Sequence, residues 1–466
     1  MKAIIPGAFL LLTACSIGDD YVRPDTPQPT AWRTRLDAGP GWPSTGWWTR
    51  FNTSSLDALM AAAEGANLDV AAATARVRQA DDTVRATGAS LLPSVNGTAG
   101  ASRARSPFGA SAGTAVSQAP VANSFNLGLS ISYDLDLWGK NRAAQEAAAA
   151  AAFQSRFDLR SVQLNIQANV AGTLFDLIGT QDRLAVARDA LAGAERILTA
   201  IRRQRQGGMA TALDETQQES QVESQRAAIP PLERQREQDR DTLALLVGRL
   251  GEDVPLPTGS LADIALPVIM PGLPSDLLAR RPDVGSAEQQ LVAAHADITV
   301  ARAQLFPDIT LTGSAGFQSL ALRSLVHHTS LVESLGASVV QAVFDGDRLE
   351  AQVDYARDKR AEMLAGYRKT VLAAFLDVEN ALVALQKSAE EKQALQAYAD
   401  KAVKANEISQ RLLLNGTIDI VTVLNTQRTS YSARDGLVQA RLAHLQAVLG
   451  LYRAMGGGWD TPAAED

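Results

Sequence analysis

Apolar and polar residues alternate strictly along residues 124–137. Every odd-numbered position from 125 to 135 carries an apolar side chain: Phe125, Leu127, Leu129, Ile131, Tyr133 and Leu135. A period of two residues predicts a strand with one apolar and one polar face. Weaker versions of the pattern predict strands over residues 94–103, 308–317 and 333–344. By itself the alternation does not separate a membrane strand from a half-buried soluble sheet, which is the commoner case.

A different period governs residues 140–206, which contain no proline and only three glycines. Apolar residues recur there every seven positions, at Val170, Leu177, Leu184, Leu191 and Leu198. Residues 346–415 carry a similar seam, with Val371, Phe375, Val378, Leu382 and Leu385 at steps of four and three. Both patterns predict coiled-coil helices. At 1.5 Å per residue each helix would be about 100 Å long, so its neighbours must be other long helices, in this chain and in further copies.

Each long helix leads into a tight turn and a return helix. The turns carry Gly207 and Gly208 in the first case and Asn415 and Gly416 in the second. Glycine and asparagine end helices because they adopt the left-handed conformation. We expect return helices over residues 211–247 and 418–455, the first interrupted by Pro230-Pro231. Another helix is predicted over residues 54–90, stopping before Pro93.

The second half of the chain repeats the plan of the first. Residues 91–105, LLPSVNGTAGASRAR, return as residues 305–319, LFPDITLTGSAGFQS, at an offset of 214 residues. Each copy then follows the order strand, strand, long helix, turn and return helix. We assign residues 54–250 and 276–455 to the two repeats, joined by a Pro/Gly-rich connector over residues 251–275 and followed by a tail over residues 456–466. The first repeat is preceded by a proline- and tryptophan-rich segment, residues 15–53, which we expect to lie as an extended strap on the folded body.

Charge and composition exclude one class of partner and favour one kind of helix packing. The 466 residues carry a net charge of -7, and the isoelectric point is about 5.3. No basic field is available to hold a nucleic-acid backbone, so nucleic acid is not an expected partner. The apolar fraction is 46% but aromatic residues supply only 5%, which favours alanine-rich helices in close contact over a thick core.

The single cysteine, Cys15, follows an apolar run and small residues. Residues 1–14 have the layout of a secretory signal peptide. Leu12-Thr13-Ala14-Cys15 is similar to the lipobox at which bacterial lipoproteins are cleaved and acylated. The resemblance implies a covalent lipid on Cys15, and Ser16 after it implies sorting to the outer membrane. An incidental cysteine is the alternative.

The sequence has no catalytic constellation. It lacks a phosphate-binding loop, a dinucleotide glycine fingerprint and a metalloprotease helix motif. His327-His328 could suggest a metal pair, but without a cysteine or carboxylate partner nearby a solvated loop is favoured. We therefore predict no catalytic residue, no metal and no cofactor. The run Arg202-Arg203-Gln204-Arg205 fits a solvated helix face, with a docking surface as the minority interpretation.

Together, these motifs resemble the TolC-like outer-membrane factors, and most closely their OprM/NodT lipoprotein branch. The matching residues are the lipobox, the LLPSV and LFPDI strand entries, residues 277–284 (LLARRPDV), residues 136–140 (DLWGK), residues 343–346 (VFDG) and residues 423–427 (VLNTQ). They span nearly the whole mature chain. The resemblance implies a mainly α fold with a membrane β-barrel. In a homotrimer, each chain would give four strands to a twelve-stranded barrel and its coiled-coil helices to a periplasmic α-barrel. The apolar face that begins at Phe125 would then meet lipid.

The resemblance also locates a gate. In the family the first turns of the return helices converge on the pore axis and close the tube. Carried over, this implies an apolar constriction at Val421 and a polar contact at Asn425, with Glu215 as the corresponding residue of the first copy. Val421 and Asn425 could instead be ordinary seam residues, with Asn425 setting register. The turns at Gly207-Gly208 and Asn415-Gly416 would contact an adaptor.

The expected function is that of a passive exit duct in a tripartite efflux system. The chain would be no enzyme, since an inner-membrane pump, of RND type, would supply the energy and a periplasmic adaptor would open the tips. The expected location is the outer membrane of a Gram-negative bacterium, with a lipid anchor and an extension into the periplasm. A duct for type I protein secretion is one alternative, and a soluble periplasmic coiled-coil scaffold is another.

Overall fold

The computed structural model describes residues 17–34, 42–105, 121–267, 269 and 272–458. They form two compact units, and each unit draws on both sequence repeats. The first contains Val77–Ser155 and Ala287–Tyr367 together with the segment that ends at Pro24. The second contains Asp25–Arg76, Arg156–Ser286 and the chain from Arg368 onward. The repeat boundaries are therefore not boundaries between compact units.

Nine α-helices, four strands and six short 3-10 helices make up the regular structure of the described residues. In the first repeat the α-helices and strands are α1 (Ser54–Ala66), α2 (Leu68–Gly88), β1 (Ser94–Arg105), β2 (Val121–Asp134), α3 (Lys140–Gln206), α4 (Ala212–Ala227) and α5 (Ile229–Leu246). In the second they are α6 (Pro274–Arg280), α7 (Pro282–Ala303), β3 (Asp308–Ser319), β4 (Leu331–Val340), α8 (Arg348–Leu414) and α9 (Ile420–Ala454). The helices α3 and α8 have 67 residues each.

The helix predicted over residues 54–90 is broken at Asn67. Its side-chain oxygen accepts hydrogen bonds from the backbone N–H groups of Asp69 and Val70, at 2.9 and 3.0 Å. Its amide nitrogen donates to the carbonyl of Leu246 at 2.8 Å. Asn67 thus caps the start of α2 and is held by the end of α5, and this tertiary contact stabilises a break that helical periodicity does not reveal.

The first return helix is interrupted near the predicted position. The break falls at Ala228, and Pro230-Pro231 occupies the first turn of α5. Proline fits there because the N–H groups of the first turn have no partner within the helix. The second return helix, α9, runs unbroken for 35 residues.

The four strands form one antiparallel sheet in the order β1-β2-β3-β4, which leaves β1 and β4 at its edges among the described residues. The last strand lies earlier than predicted, at Leu331–Val340 instead of residues 333–344. It ends at Val340 because that residue pairs with Asp308, the first residue of β3. Beyond this point Val343 and Phe344 are almost fully exposed, at 97% and 89%.

In the second unit, aromatic side chains from the N-terminal segment enter the helical core. Trp47 and Phe51 are buried, and the Trp47 ring stacks on Tyr452 with centroids 4.6 Å apart. Phe51 contacts Phe175 of α3. Earlier in the segment, Trp32 donates to the carbonyl of Gly272 at 2.8 Å. These contacts pin a segment of little regular structure onto the second unit.

Across the described part of the chain, no helix has both the length and the apolar character needed to cross a membrane.

Candidate functional site

The two long helices end in the same motif. Gly208 and Gly416 have φ angles of 73° and 70°. The following N–H groups, of Met209 and Thr417, donate to carbonyls five residues back, at 2.8 and 3.0 Å. This is the Schellman motif, and its left-handed residue is almost always glycine because a Cβ is strained there. All of the turn residues predicted to contact an adaptor, which are Gly207, Gly208, Asn415 and Gly416, are exposed.

Both return helices begin with a side-chain cap three residues after the left-handed glycine. Thr211 and Asp214 form a reciprocal capping box at the start of α4. In α9, the Asp419 carboxylate accepts from the N–H of Thr422 at 2.8 Å. Hydrogen bonds from Thr422 hold the pKa of Asp419 below its ordinary value. The caps fix the direction in which each return helix leaves its turn.

The turn glycines and the helix caps fix which residues of the two sequence repeats correspond. Gly208 and Gly416 are 208 residues apart, as are the caps Thr211 and Asp419 and the starts of α3 and α8. The structural counterpart of Asn425 is therefore Gln217, and Glu215 corresponds to Val423. The predicted match of Glu215 with Asn425 is therefore wrong by two residues. It aligned the two sequence repeats on Gln217 and Gln427 instead of on the turn glycines.

Of the three residues predicted for the gate, Val421 and Asn425 have side chains that point away from the core of the chain. Val421 is 49% exposed and Asn425, one helical turn later, is also exposed. The buried positions of this part of α9 are Ile420, Val423 and Gln427. Within one chain, Val421 and Asn425 are thus not seam residues, and they remain free to meet another chain or a pore.

The same face of α4 carries two residues that sequence reasoning missed. Leu213, the counterpart of Val421, is 65% exposed, and Gln217 is half-buried. Each return helix therefore places an exposed apolar side chain one turn before an amide; the Asn425 amide is exposed, whereas the Gln217 amide oxygen is buried and has no hydrogen-bond partner among the described residues. The signal was available in the sequence, since counting from the turn glycine instead of from the later glutamine identifies both residues.

Beneath the turns, the two hairpins share a small apolar core. Its buried members are Ile197 and Ile201 from α3, Leu413 from α8, and Ile420 and Val423 from α9. Because side chains from both sequence repeats of one chain pack together here, the first turns of α9 are held against α3.

Glu215 is bound within its own hairpin. Its carboxylate accepts from Arg202 Nε at 3.0 Å and forms a second, very short contact with Arg205. Arg202 also donates to Glu219 at 2.7 Å. The hydrogen bond from Arg205, and then that from Arg202, lower the pKa of Glu215. Two arginines of the run at residues 202–205 thus brace α3 against α4.

The predicted lipid-facing residues share one face of the sheet. Leu127, Leu129 and Ile131 are 45%, 60% and 48% exposed, while Phe125 and Tyr133 are half-buried. Leu135 lies just past β2, where its N–H still donates to the carbonyl of Ile309 at 2.9 Å.

Pairing extends this apolar face across all four strands. The apolar residues of β2 pair with Val95, Gly97, Ala99 and Ala101 of β1 and with Leu311, Gly313, Ala315 and Phe317 of β3. On β4 the face continues through Leu331, Leu335, Ala337 and Val339. The opposite face carries mainly serine, threonine, asparagine and glycine. Such a sheet fits a boundary between an apolar and an aqueous phase.

The motif residues matched to the family are structural. Arg281 is 10% exposed and donates to both carboxylate oxygens of Asp283, to Asp377 at 3.0 Å and to the carbonyl of Ala454 at 3.1 Å. Burial alone would lower its pKa, but the contacts with Asp283 and Asp377 raise it. In the other unit, Trp138 stacks on Phe306 with centroids 4.8 Å apart and donates to the carbonyl of Pro307.

Among the described residues, no group of three histidine, cysteine, aspartate or glutamate side chains is placed to hold a metal ion. His327 and His328 are exposed. The predicted lipidation site, Cys15, lies outside the described residues.

A family model described as outer membrane efflux protein matches residues 59–249 and 273–457. The pyoverdine export outer membrane protein OpmQ of Pseudomonas aeruginosa is 38% identical over 458 residues, covering 97% of this chain and 96% of the relative. Outer membrane protein OprJ of the same organism is 31% identical over 456 residues, covering 97% of this chain and 94% of OprJ.

Solved structures share the whole fold. A membrane protein from Pseudomonas aeruginosa superposes with a TM-score of 0.87 at 30% identity, covering 95% of this chain and 100% of its own. The open state of the MtrE outer membrane channel of Neisseria gonorrhoeae gives 0.85 at 26% identity, covering 95% and 98%. The predicted fold class is confirmed. With a matching model over most of its length and full-length relatives above 30% identity, the chain belongs to the outer membrane efflux protein family.

Proposed function

We propose that three copies of this chain form the exit duct of a tripartite efflux system. The duct conducts small molecules passively from the periplasm to the exterior. A periplasmic adaptor joins it to an inner-membrane pump of RND type, and that pump supplies the energy. The duct itself carries out no chemical reaction and needs no cofactor.

The observation that carries this proposal is that the sheet has one apolar and one polar face, while the outer edges of β1 and β4 have no partner strand among the described residues. Unpaired backbone N–H and C=O groups are very costly in lipid, so a sheet can enter a bilayer only if its edges close. Four strands are too few to enclose a pore, whereas three copies supply twelve. The apolar face then contacts lipid and the polar face lines a water-filled lumen.

Two alternatives fit the molecule less well. A soluble scaffold would leave the apolar face of β2 in water, although its exposed Leu127, Leu129 and Ile131 form part of a large contiguous patch. A duct for protein secretion would agree with the fold. Two full-length relatives, 38% and 36% identical, are however named for export of pyoverdine, a name that favours a small molecule as cargo.

The gate that we propose lies on the outward faces of α4 and α9. In a trimer, Leu213 and Val421 would form two apolar rings, and Gln217 and Asn425 two uncharged amide rings. Apolar constrictions hinder hydrated ions, and amides close a pore through neutral hydrogen bonds. Glu215 supports this gate indirectly, because its ion pairs with Arg202 and Arg205 let the α3–α4 hairpin move as one body.

The adaptor would bind the exposed turns at Gly207-Gly208 and Asn415-Gly416. Separation of the hairpins by such binding would pull the rings apart. Arg203 of the same run remains on the exposed helix surface and would add a positive charge to the docking surface.

We also propose an acyl chain on Cys15. The segment that follows it is held on the unit that contains the sheet. Arg23 pairs with Glu288 of α7 at 2.9 Å, and the carbonyl of Asp19 lies 2.7 Å from the His295 ring. An acyl chain at Cys15 would thus attach this unit to the membrane, with the protein around Arg23 as its rigid support.

Fractionation of cells tests the proposal. The chain should sediment with the outer membrane and run in unboiled detergent gels as a trimer that boiling converts to monomer. A monomer in the soluble periplasmic fraction would support the scaffold and overturn the duct.

A further inference from the structure

One carboxylate interrupts the apolar face of the sheet. Glu333 of β4 pairs with Ala315, Ala315 pairs with Leu129, and Leu129 pairs with Gly97. Because paired residues project from the same side of a sheet, Glu333 belongs to the face that carries Leu129. It is exposed and has no hydrogen bond or ion pair with any described residue of its own chain.

The opposite edge of the sheet carries a complementary charge on the same face. Arg103 of β1 has the parity of Val95 and Ala101, so its side chain also projects from the apolar face. It too is exposed and has no partner among the described residues. The two charges lie on the outermost strands of one sheet, where they cannot meet within a chain.

Pairing between copies brings the two charges together. In the proposed assembly, β4 of one copy lies beside β1 of the next, and the alternation of strand directions makes that pairing antiparallel. β4 has ten residues and β1 has twelve. If every residue of β4 pairs and the apolar faces stay aligned, only two registers remain, since a shift of one residue would invert the face.

Both registers place Arg103 near Glu333. In one register Arg103 of the second copy lies directly opposite Glu333. In the other Ala101 lies opposite, and Arg103 is the diagonal neighbour, within reach of a long side chain. An arginine pairs with a carboxylate through two parallel hydrogen bonds, so it can neutralise the charge at a membrane surface.

We propose that Glu333 forms an ion pair with Arg103 of a second copy across the seam between subunits. This inference rests on the proposed trimeric duct and adds the contact that sets its seam. The surrounding leucine, valine and alanine pairs are similar in every register, so they specify alignment weakly. The ion pair favours alignments that join the charges and penalises those that leave a carboxylate in lipid.

Charge reversal tests the pair. We expect Glu333→Arg and Arg103→Glu each to speed trimer dissociation in detergent about tenfold at a fixed temperature, because each places like charges at the seam. The double variant should recover most of the wild-type rate. Ser102→Glu, next to Arg103 on β1 but projecting from the polar face, is the matched control, and it should not be rescued by Glu333→Arg.

A milder variant, Glu333→Gln, covers the case in which reversal blocks folding. It should assemble at the wild-type level and dissociate several-fold faster, an effect that follows from loss of the charge alone. Equal dissociation rates for wild type and Glu333→Gln, or a double reversal no better than the single ones, would overturn the ion pair while leaving the trimer intact. A wild-type chain that never forms trimers would overturn the duct itself.

Discussion

Gln217 occupies in α4 the position that Asn425 occupies in α9. The left-handed glycines and the helix caps fix this equivalence. Both sequence repeats place an apolar residue, Leu213 or Val421, one turn earlier. The two sequence repeats thus place the same two residue types at equivalent positions, with the amide exposed at Asn425 and half-buried at Gln217. Three copies would build a closure from six equivalent helix starts, without any charged residue at these positions.

This chemistry predicts the effect of adding charge. Asn425→Asp would convert one amide ring into three carboxylates near the pore axis. Cation selectivity and block by divalent cations should both increase, since a concentrated negative field attracts cations. Single-channel recordings under a salt gradient measure both quantities. Thr242→Asp, at an exposed position of α5, is the control. Unchanged selectivity and block in Asn425→Asp would rule out a pore-facing position.

Replacement of glycine by alanine should have opposite effects on stability in a turn and inside a helix. Gly416→Ala should destabilise the chain by about 1 kcal/mol, because a Cβ is strained at φ 70°. Gly436→Ala, within α9 where a Cβ would meet no atom within 4 Å, should stabilise by about 0.5–1 kcal/mol. Thermal unfolding of both variants provides the comparison, and a stabilising Gly416→Ala would contradict the motif.

The pairs of Glu215 predict a pH dependence of the first hairpin. Because the folded-state pKa of Glu215 is lowered by Arg205 and Arg202, its contribution is fully present above the ordinary glutamate value. It is lost as the pH falls through the lowered folded-state pKa. At pH 7, Glu215→Gln should speed amide hydrogen exchange at the turn about twofold to threefold, a modest effect typical of exposed pairs.

At acid pH, where both side chains are neutral, the two proteins should exchange alike after correction for the intrinsic rate. The turn at Gly416 supplies an internal control within each sample. If the pH 7 difference persisted unchanged in acid, the carboxylate charge would not be its cause.

Cys15 predicts a covalent modification. Cells supplied with labelled palmitate should incorporate it into the wild-type chain and not into Cys15→Ser. The variant should still fold, because the contacts of Arg23 and Trp47 do not involve the cysteine. Label retained in Cys15→Ser would contradict the lipoprotein interpretation.

The long helices were predictable almost to the residue. α3 matches the predicted range of residues 140–206, because no proline interrupts it and strong signals flank it, Gly139 and Gly207-Gly208. The strands were located to within a few residues, since a period of two is specific. The break at Asn67 was not predicted, because it depends on Leu246, which lies 179 residues away in the sequence.

The candidate site was predicted in part. Val421 and Asn425 were identified through the family resemblance, and the turns through their glycines. Leu213 and Gln217 were missed because the two copies were aligned on glutamines instead of on the structural turn. The ion pairs of Glu215 with Arg202 and Arg205 could not be predicted. Helix periodicity does not determine how the side chains of two antiparallel helices pair across a turn.

Single-channel conductance in planar bilayers tests the central claim most directly. Wild-type trimers should conduct ions weakly, and Leu213→Ser combined with Val421→Ser should raise the conductance several-fold by removing the apolar rings. Leu245→Ser, at a position of α5 that is 72% exposed, is the control and should leave it unchanged. Absence of conductance in both the wild type and the double variant would contradict a duct closed at its helix turns.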